Sequence, residues 1–485
     1  METLSKGKEL EKQLTYKVEH IAKKDKSAVE KSFEFCDGYM DFLSRSKTER
    51  LAVANIIEIA KANGYVEFDP TEMYQPGDKI YFNNRGKSAI LSTIGKLSAS
   101  DGFTIVASHI DSPRLDLKPN PLYENTEISY FKTHYYGKQN PQYEDSNLLF
   151  WDTHYYGGIK KYQWSAIPLA IHGVVVKTNG EKVDIHIGEE DDDPVFCLTD
   201  LLPHLAKDQS ERKMRDVIKG EEMNILIGCL PYDDEDVKEA VKLQTLVLLN
   251  EKYGITEREF INAELEVVPA GRARDVGFDR GMIGSYGHDD RVCDYTSLMA
   301  EVETKCPNHT TVTVFADKEE IGSDGVSGMN SEFLEHFIMY LSKMQGVDYI
   351  TTLGRSKCLS ADVNAGYDPT FADVMDPKNS SYMNRGVVIT KYTGSGGKGG
   401  TNDASAEFMA EVTNLFDSKN VNWQTGELGK VDMGGGGTVA KYISRKNVDT
   451  VDIGVPVLSM HAPFELVAKT DVYSAYTAFL AFLDR

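Results

Sequence analysis

The stretch Val312-Thr-Val-Phe-Ala-Asp-Lys-Glu-Glu-Ile-Gly322 decides the reading, because an apolar, β-branched run ends there in two adjacent acids, Glu319 and Glu320. A short run of this kind is a buried strand. Successive side chains leaving a strand point to different places, so one glutamate can bind a cation while the other stays free to take a proton. Alone, the pair carries little weight. With 75 Asp and Glu in the chain, about a dozen adjacent acidic pairs arise by chance.

Four more segments couple an apolar run to a metal-capable side chain. They are Ile105-Val-Ala-Ser-His109-Ile-Asp111, Gly287-His-Asp289-Asp290-Arg291, Leu359-Ser-Ala-Asp362 and Val455-Pro-Val-Leu-Ser-Met-His461. Together they offer imidazoles and carboxylates, the mixed donor set that Zn²⁺ or a similar divalent ion accepts. A two-metal hydrolase needs a shared carboxylate, a histidine and a carboxylate for each ion, and a free carboxylate as base. The segments supply each of these once. Ordinary readings stay open beside this one. Asp289-Asp290 also suits a helix N-cap, and one Asp can bridge while its neighbour caps. Asp362 suits a solvated strand end, and His109 and His461 suit buried, hydrogen-bonded histidines.

At 485 residues, the chain is long for one core and predicts two domains. Hydrophobic content of 41% and charged content of 26% are those of a soluble globular protein. No apolar run is long enough to span a membrane, and the first residues lack a secretory apolar core. A cytoplasmic location is therefore the expectation. A net charge of −22 argues against nucleic acid, which needs clustered Lys and Arg. The run Glu189-Glu-Asp-Asp-Asp193 reads as an exposed loop, with calcium binding as the rival. Six cysteines without C-x-x-C spacing read as free thiols.

Glu49–Asn63 has helical spacing with a C-cap at Asn63-Gly64, and strands follow near 89–94 and 103–108. From about Asn120 to Val176 the chain turns rich in Tyr, Trp and turn residues, and Thr-His-Tyr-Tyr-Gly occurs at 133–137 and 153–157. This predicts a β-rich insert with two similar hairpin strands, whose His134 and His154 pack or hydrogen-bond. Strand–helix alternation resumes near Asn262, with helices expected at 295–302, 332–344, 404–414 and 471–483. The class predicted is α/β with a mainly parallel sheet flanked by helices, in which ligands bind at the carboxyl ends of strands. The boundaries expected are a discontinuous catalytic domain, 1–118 and 269–485, and a β-rich domain, 119–268. Gly394–Asn402 and Met433–Thr438 fit neither nucleotide-loop pattern. They suit close backbone approach to a peptide, with Thr438 capping a helix.

Taken in order, these segments resemble the aspartyl aminopeptidase and aminopeptidase I family of dinuclear zinc peptidases. The residues that carry the resemblance are Ser108-His109-Ile-Asp111-Ser-Pro-Arg114, His288-Asp289-Asp290, Asp317-Lys-Glu-Glu-Ile-Gly-Ser323, Ser360-Ala-Asp362, Gly435-Gly-Gly-Thr438 and Leu458-Ser-Met-His461. The resemblance implies that His109 and Asp362 hold one zinc, Glu320 and His461 the other, and that Asp289 bridges them. It makes Glu319 the general base and Asp111 the residue that orients His109. It also implies dimers through the insert, built into a tetrahedral twelve-subunit shell. Departures occur where the family often has Leu-Asp-Asn at 288–290, and where Asp208 replaces a histidine that reaches the neighbouring subunit in relatives. His204 is the nearest substitute. Lys391 is a weak counterpart of a lysine that binds acidic substrates.

The expectation is a metalloaminopeptidase that acts on peptides, with two divalent ions per chain, zinc first and cobalt or manganese as alternatives. Gly436 and Thr438 join His204 and Lys391 as substrate-contact candidates. The rivals are a carboxypeptidase or N-acyl amino acid deacylase of the same chemistry, and a metal-free oligomeric scaffold.

Overall fold

Asp25 and Thr48 start the two long helices near the beginning of the chain. The Asp25 carboxylate accepts the N–H groups of Ser27 and Ala28 at the head of Lys26–Arg45, and the Thr48 hydroxyl accepts that of Leu51 at the head of Glu49–Ala62. Such caps satisfy donors that have no partner inside a helix. The structure is a computed structural model and describes residues 5–135, 158–395, 400–432 and 434–485.

Among the described residues, nine strands form one mixed sheet. Their order is Val66–Glu67, Lys79–Asn84, Ser88–Thr93, Thr311–Ala316, Thr104–His109, Lys357–Ala361, Asp449–Gly454, Val387–Thr390 and Trp423–Thr425. The four middle strands, Thr311–Ala316 through Asp449–Gly454, are parallel. Antiparallel joins flank them on both sides, so the parallel character belongs to the centre of the sheet. Strands buried on both faces read as unbroken apolar runs, and Thr104–His109 shows why. Ile105 and Ala107 enter one core with Phe337 and Ile338, while Val106 enters the other with Val292 and Phe479. Helices Phe333–Met344 and Tyr349–Arg355 cover the first face. Lys26–Arg45, Glu49–Ala62, His288–Glu303, Ala406–Ser418 and Lys469–Leu483 cover the second.

A five-stranded sheet was not anticipated. It joins Arg274–Val276, Met282–Ser285, Glu465–Ala468, Pro456–Leu458 and Asn364–Ala365, strands too short to show a period.

Seven antiparallel strands, all drawn from Leu115 to Pro269, make a third sheet. Its core holds Leu115, Ile171, Val267 and the fully buried Trp164. Trp164 therefore fills the insert's own interior and is no anchor for a partner. His134 lies exposed on the strand Ile128–Tyr135. Residues 136–137 and the second Thr-His-Tyr-Tyr-Gly, with His154, lie outside the described residues. In the acidic run, residues 190–192 are exposed, while Asp193 accepts the Gly188 N–H at 3.0 Å. All six cysteines are free.

Arg114 ties this sheet to the catalytic part. Its guanidinium meets Glu49 at 2.9 Å, Asp116 at 2.9 Å and Glu266 at 3.2 Å. Burial pushes Glu49 upward, but Arg114 and Lys87 outweigh it and hold the carboxyl at about 2. Burial raises Glu266 well above the ordinary carboxyl range.

Candidate metal centre

Three neighbouring strands deliver their ends to one place, the carboxyl edge expected for an α/β site. His109 closes the central strand and sits in register with Ala316 of the next. On that neighbour the chain turns through Lys318 and Gly322, at φ 69° and 98°, and presents Glu319 and Glu320 between them. On the other side Asp362 follows Ala361.

Asp289 arrives from the start of the helix His288–Glu303. Gly287 precedes it at φ 81°, and a Cβ there would stand 2.3 Å from an Arg291 nitrogen. Only glycine fits this turn. Asp289 and Asp290 keep non-helical backbone angles, and neither side chain caps the helix. The capping role expected for one of them is therefore absent. The buried Tyr39 hydroxyl meets His288 Nδ1 at 2.6 Å, and His288 Nε2 meets the Ile283 carbonyl at 3.2 Å. These contacts pin the residue just before Asp289. His461 follows the short strand Pro456–Leu458 at φ 64°.

The two oxygens of Asp289 face different imidazoles. Oδ1 lies 3.2 Å from His109 Nε2 and Oδ2 lies 3.1 Å from His461 Nε2. Asp362 Oδ1 is 3.6 Å from His109 Nε2, and Glu320 Oε1 is 3.5 Å from His461 Nε2. Two ligand groups result, His109 with Asp290 and Asp362, and Glu320 with Asp289 and His461, each with donor atoms within 4.8 Å of one another. Asp290 is the residue that sequence reasoning passed over. Its Oδ2 stands 3.4 Å from the His109 backbone nitrogen. A second acid at a helix start looks like a cap, and nothing local marks it as a ligand.

Asp111 does more than was expected. His109 Nδ1 lies 3.1 Å from the Asp111 carbonyl and 3.5 Å from its carboxylate, which leaves Nε2 for a cation. The same carboxylate accepts the N–H groups of Glu319 and Glu320 at 3.0 and 3.1 Å, so one side chain aligns His109 and both glutamates of the turn. Glu465 does the same for the other half. It accepts the His461 N–H at 2.6 Å and the Asp289 N–H at 3.1 Å. A glutamate four residues beyond a histidine carries no sequence signal of this kind.

The residues present fit divalent cations. Both Glu320 oxygens and Asp290 Oδ1 are buried without a hydrogen-bond donor, and such groups are paired or coordinate metals. Burial raises Glu319 to about 8 and Glu320 well above its ordinary range. Burial also raises Asp362. On His461 burial acts downward, but Glu320 and Asp289 outweigh it and raise the ring to about 10. This negative surplus is what bound cations balance.

Beside Asp362 opens a cavity of about 180 Å³, lined by Asn364, Thr390, Tyr392, Gly436 and Thr438 among others. Thr438 hydrogen-bonds the buried Asp452 and accepts the Ala440 N–H at 3.2 Å, at the head of Ala440–Ser444. Two candidates stay apart. Lys391 is not on the cavity wall; it pairs with Asp403 at 2.9 Å and lies over the Tyr392 ring. His204 is exposed on the insert.

Comparison with known proteins identifies the family. The family described as aminopeptidase I zinc metalloprotease (M18) matches residues 42–139 and 137–483. "Probable M18 family aminopeptidase 1" of Clostridium acetobutylicum is 46% identical over 471 residues, 95% of this chain and 97% of that one. Among solved structures, the M18-family aminopeptidase of Thermotoga maritima superposes with TM-score 0.88 at 40% identity, covering 97% of this chain and 100% of that one. Aminopeptidase I of Clostridium acetobutylicum gives TM-score 0.87 at 42% identity, with the same coverage. A strand-end cluster of histidines and carboxylates, set in a fold shared along nearly the whole chain, makes this protein a member of the M18 family of zinc metalloaminopeptidases.

Proposed function

We propose that this zinc aminopeptidase works with two ions per chain, one held by His109 and Asp362 with Asp290 at hand, the other by Glu320 and His461, and both by Asp289. The observation that carries this reading is the Asp289 carboxylate, whose oxygens face one imidazole each. Bound there, divalent ions supply Lewis acidity for the scissile carbonyl and for the attacking water. Glu319, outside both ligand groups, takes the proton of that water and passes it to the leaving amine. Asp111 holds His109 in the tautomer that presents Nε2. The cavity beside Asp362 receives the first side chain of the peptide, with Gly436 and Thr438 on its wall.

The insert, residues 119–268 with its strand ends at 115–118 and 269, is on this reading a domain for pairing subunits. Leu201, Leu202 and Leu205 are 51%, 52% and 67% exposed there, around His204, and a second copy would cover them. A yeast relative, Ape1 of S. cerevisiae, is a dodecamer; at 20% identity it supports the fold and makes a tetrahedral shell of this chain a proposal. Six free cysteines support a reducing, cytoplasmic setting.

The test is a panel of peptides with free and blocked amino termini, run on protein stripped by chelator and reloaded with measured zinc. The expected result is activity that returns with about two ions per chain and only on free termini. Cleavage of blocked peptides, or full activity at one ion per chain, overturns the reading.

A further inference from the structure

The acidic run at 189–193 folds back on the insert's sheet, and the first of its residues does something the catalytic centre does not use. Strands Leu169–Val176 and Lys182–Ile187 pair antiparallel, with His172 directly opposite His186. Residues paired in this way project from the same face. His172 is buried, 3% exposed, while His186 is open to solvent. The two Nδ1 atoms are 3.3 Å apart. On its other side, His172 Nε2 lies 3.2 Å from Glu189 Oε1. The second Glu189 oxygen is fixed by the Gly271 N–H at 3.1 Å.

We propose that His172 and His186, backed by Glu189, form a binding site for one transition-metal ion, separate from the catalytic pair. The carboxylate takes the Nε2–H of His172, so the Nδ1 of that ring is left as a bare lone pair. A carboxylate behind an imidazole is the usual way a metal-binding histidine is oriented. Two nitrogens bound to one tetrahedral zinc at ~2.0–2.1 Å stand about 3.3 Å apart, the separation these atoms already have. Only one proton can lie between them, and an ion of the Zn²⁺ or Cu²⁺ class can replace the proton on the exposed ring. The surroundings favour a cation. Asp184 lies two residues before His186 on the same face, and the exposed Glu190, Asp191 and Asp192 follow Glu189. The Lys47 ammonium donates to the Gly271 carbonyl at 2.6 Å, on the residue whose N–H holds Glu189. Glu266, opposite His172 on the next strand, turns one oxygen to Arg114 at 3.2 Å.

The experiment uses full-length protein, stripped by chelator and titrated with Zn²⁺, with elemental analysis of what is retained. His186→Ala is the informative variant, because an exposed side chain is lost without opening a core. Wild type is expected to retain one more ion per chain than His186→Ala, with equal peptidase activity once zinc is saturating. Loaded with Cu²⁺, the wild type should give an electron paramagnetic resonance signal from a two-nitrogen site that the variant lacks. Glu189→Gln should reach wild-type stoichiometry at high zinc while binding the extra ion roughly 10–100-fold more weakly. Equal zinc content and superposable titrations for wild type and His186→Ala would mean a hydrogen-bonded histidine pair only, and would overturn the proposal. An extra ion that survives His186→Ala overturns it equally.

Discussion

Replacing Glu465 by glutamine tests the least expected part of the catalytic centre. The carboxylate accepts two backbone N–H groups, that of His461 at 2.6 Å and that of Asp289 at 3.1 Å, and it is 1% exposed. Glutamine keeps one acceptor and turns an NH₂ towards the other N–H. A hydrogen bond to a charged group is worth about 1.5–3 kcal/mol, and an orphaned buried donor costs about 1–3 kcal/mol. Part of this loss goes into the fold. The part that misaligns ligands weakens metal binding by roughly 10–100-fold, as for other residues behind a ligand, or about 1.4–2.7 kcal/mol. We expect Glu465→Gln to be inactive at zinc levels that saturate the wild type and active again when free zinc is raised ~10–100-fold. The assay is peptidase rate against free zinc set by a metal buffer. A zinc curve that superposes on that of the wild type, or activity that no zinc restores, would refute the argument that Glu465 acts by placing Asp289 and His461.

Glu319→Gln should lower turnover by ~10²-fold or more with metal content unchanged, checked by rate and elemental analysis on the same sample. Asp289→Ala should empty both metal positions, whereas His461→Ala should weaken mainly one; zinc per chain after dialysis separates the two. Arg114→Ala leaves Glu49 and Glu266 buried beside each other without the cation that pairs with both, so denaturant unfolding should show a loss of about 3–5 kcal/mol. Chelator treatment of the wild type should abolish activity and lower Tm while far-ultraviolet circular dichroism stays near that of the loaded protein.

Much of the catalytic sheet was legible because its central strands are buried on both faces and read as short apolar runs, three of which lead straight into a metal-capable side chain. That signal offered His109, Glu320, Asp362 and His461 as candidates, the ordered set added Asp289, and the structure brings the five side chains together. Asp290 was not, since a second acid at a helix start looks like a cap. Glu465 was not, since its partners are backbone groups brought together by a sheet of two- to four-residue strands that leave no period. Lys391 and His204 were offered by analogy alone, and in this chain their side chains lie off the cavity wall. Trp164 belongs to the aromatic-rich stretch of the insert and fills its core. Composition cannot tell a tryptophan that fills its own domain from one that waits for a neighbour.

The imidazoles at positions 109 and 461 meet across one carboxylate at 289, and each of the three belongs to a different sheet or helix. A growing chain therefore carries no working centre until the last of these pieces has been made and docked. Contacts between residues so far apart in sequence form late and slowly. On the proposed two-ion reading the peptidase is silent while it is being built, because a chain cut short before His461 lacks that imidazole and also the helix Lys469–Leu483, whose Val472, Phe479 and Phe482 fill the core. Latency here needs no inhibitor, because the order of assembly supplies it.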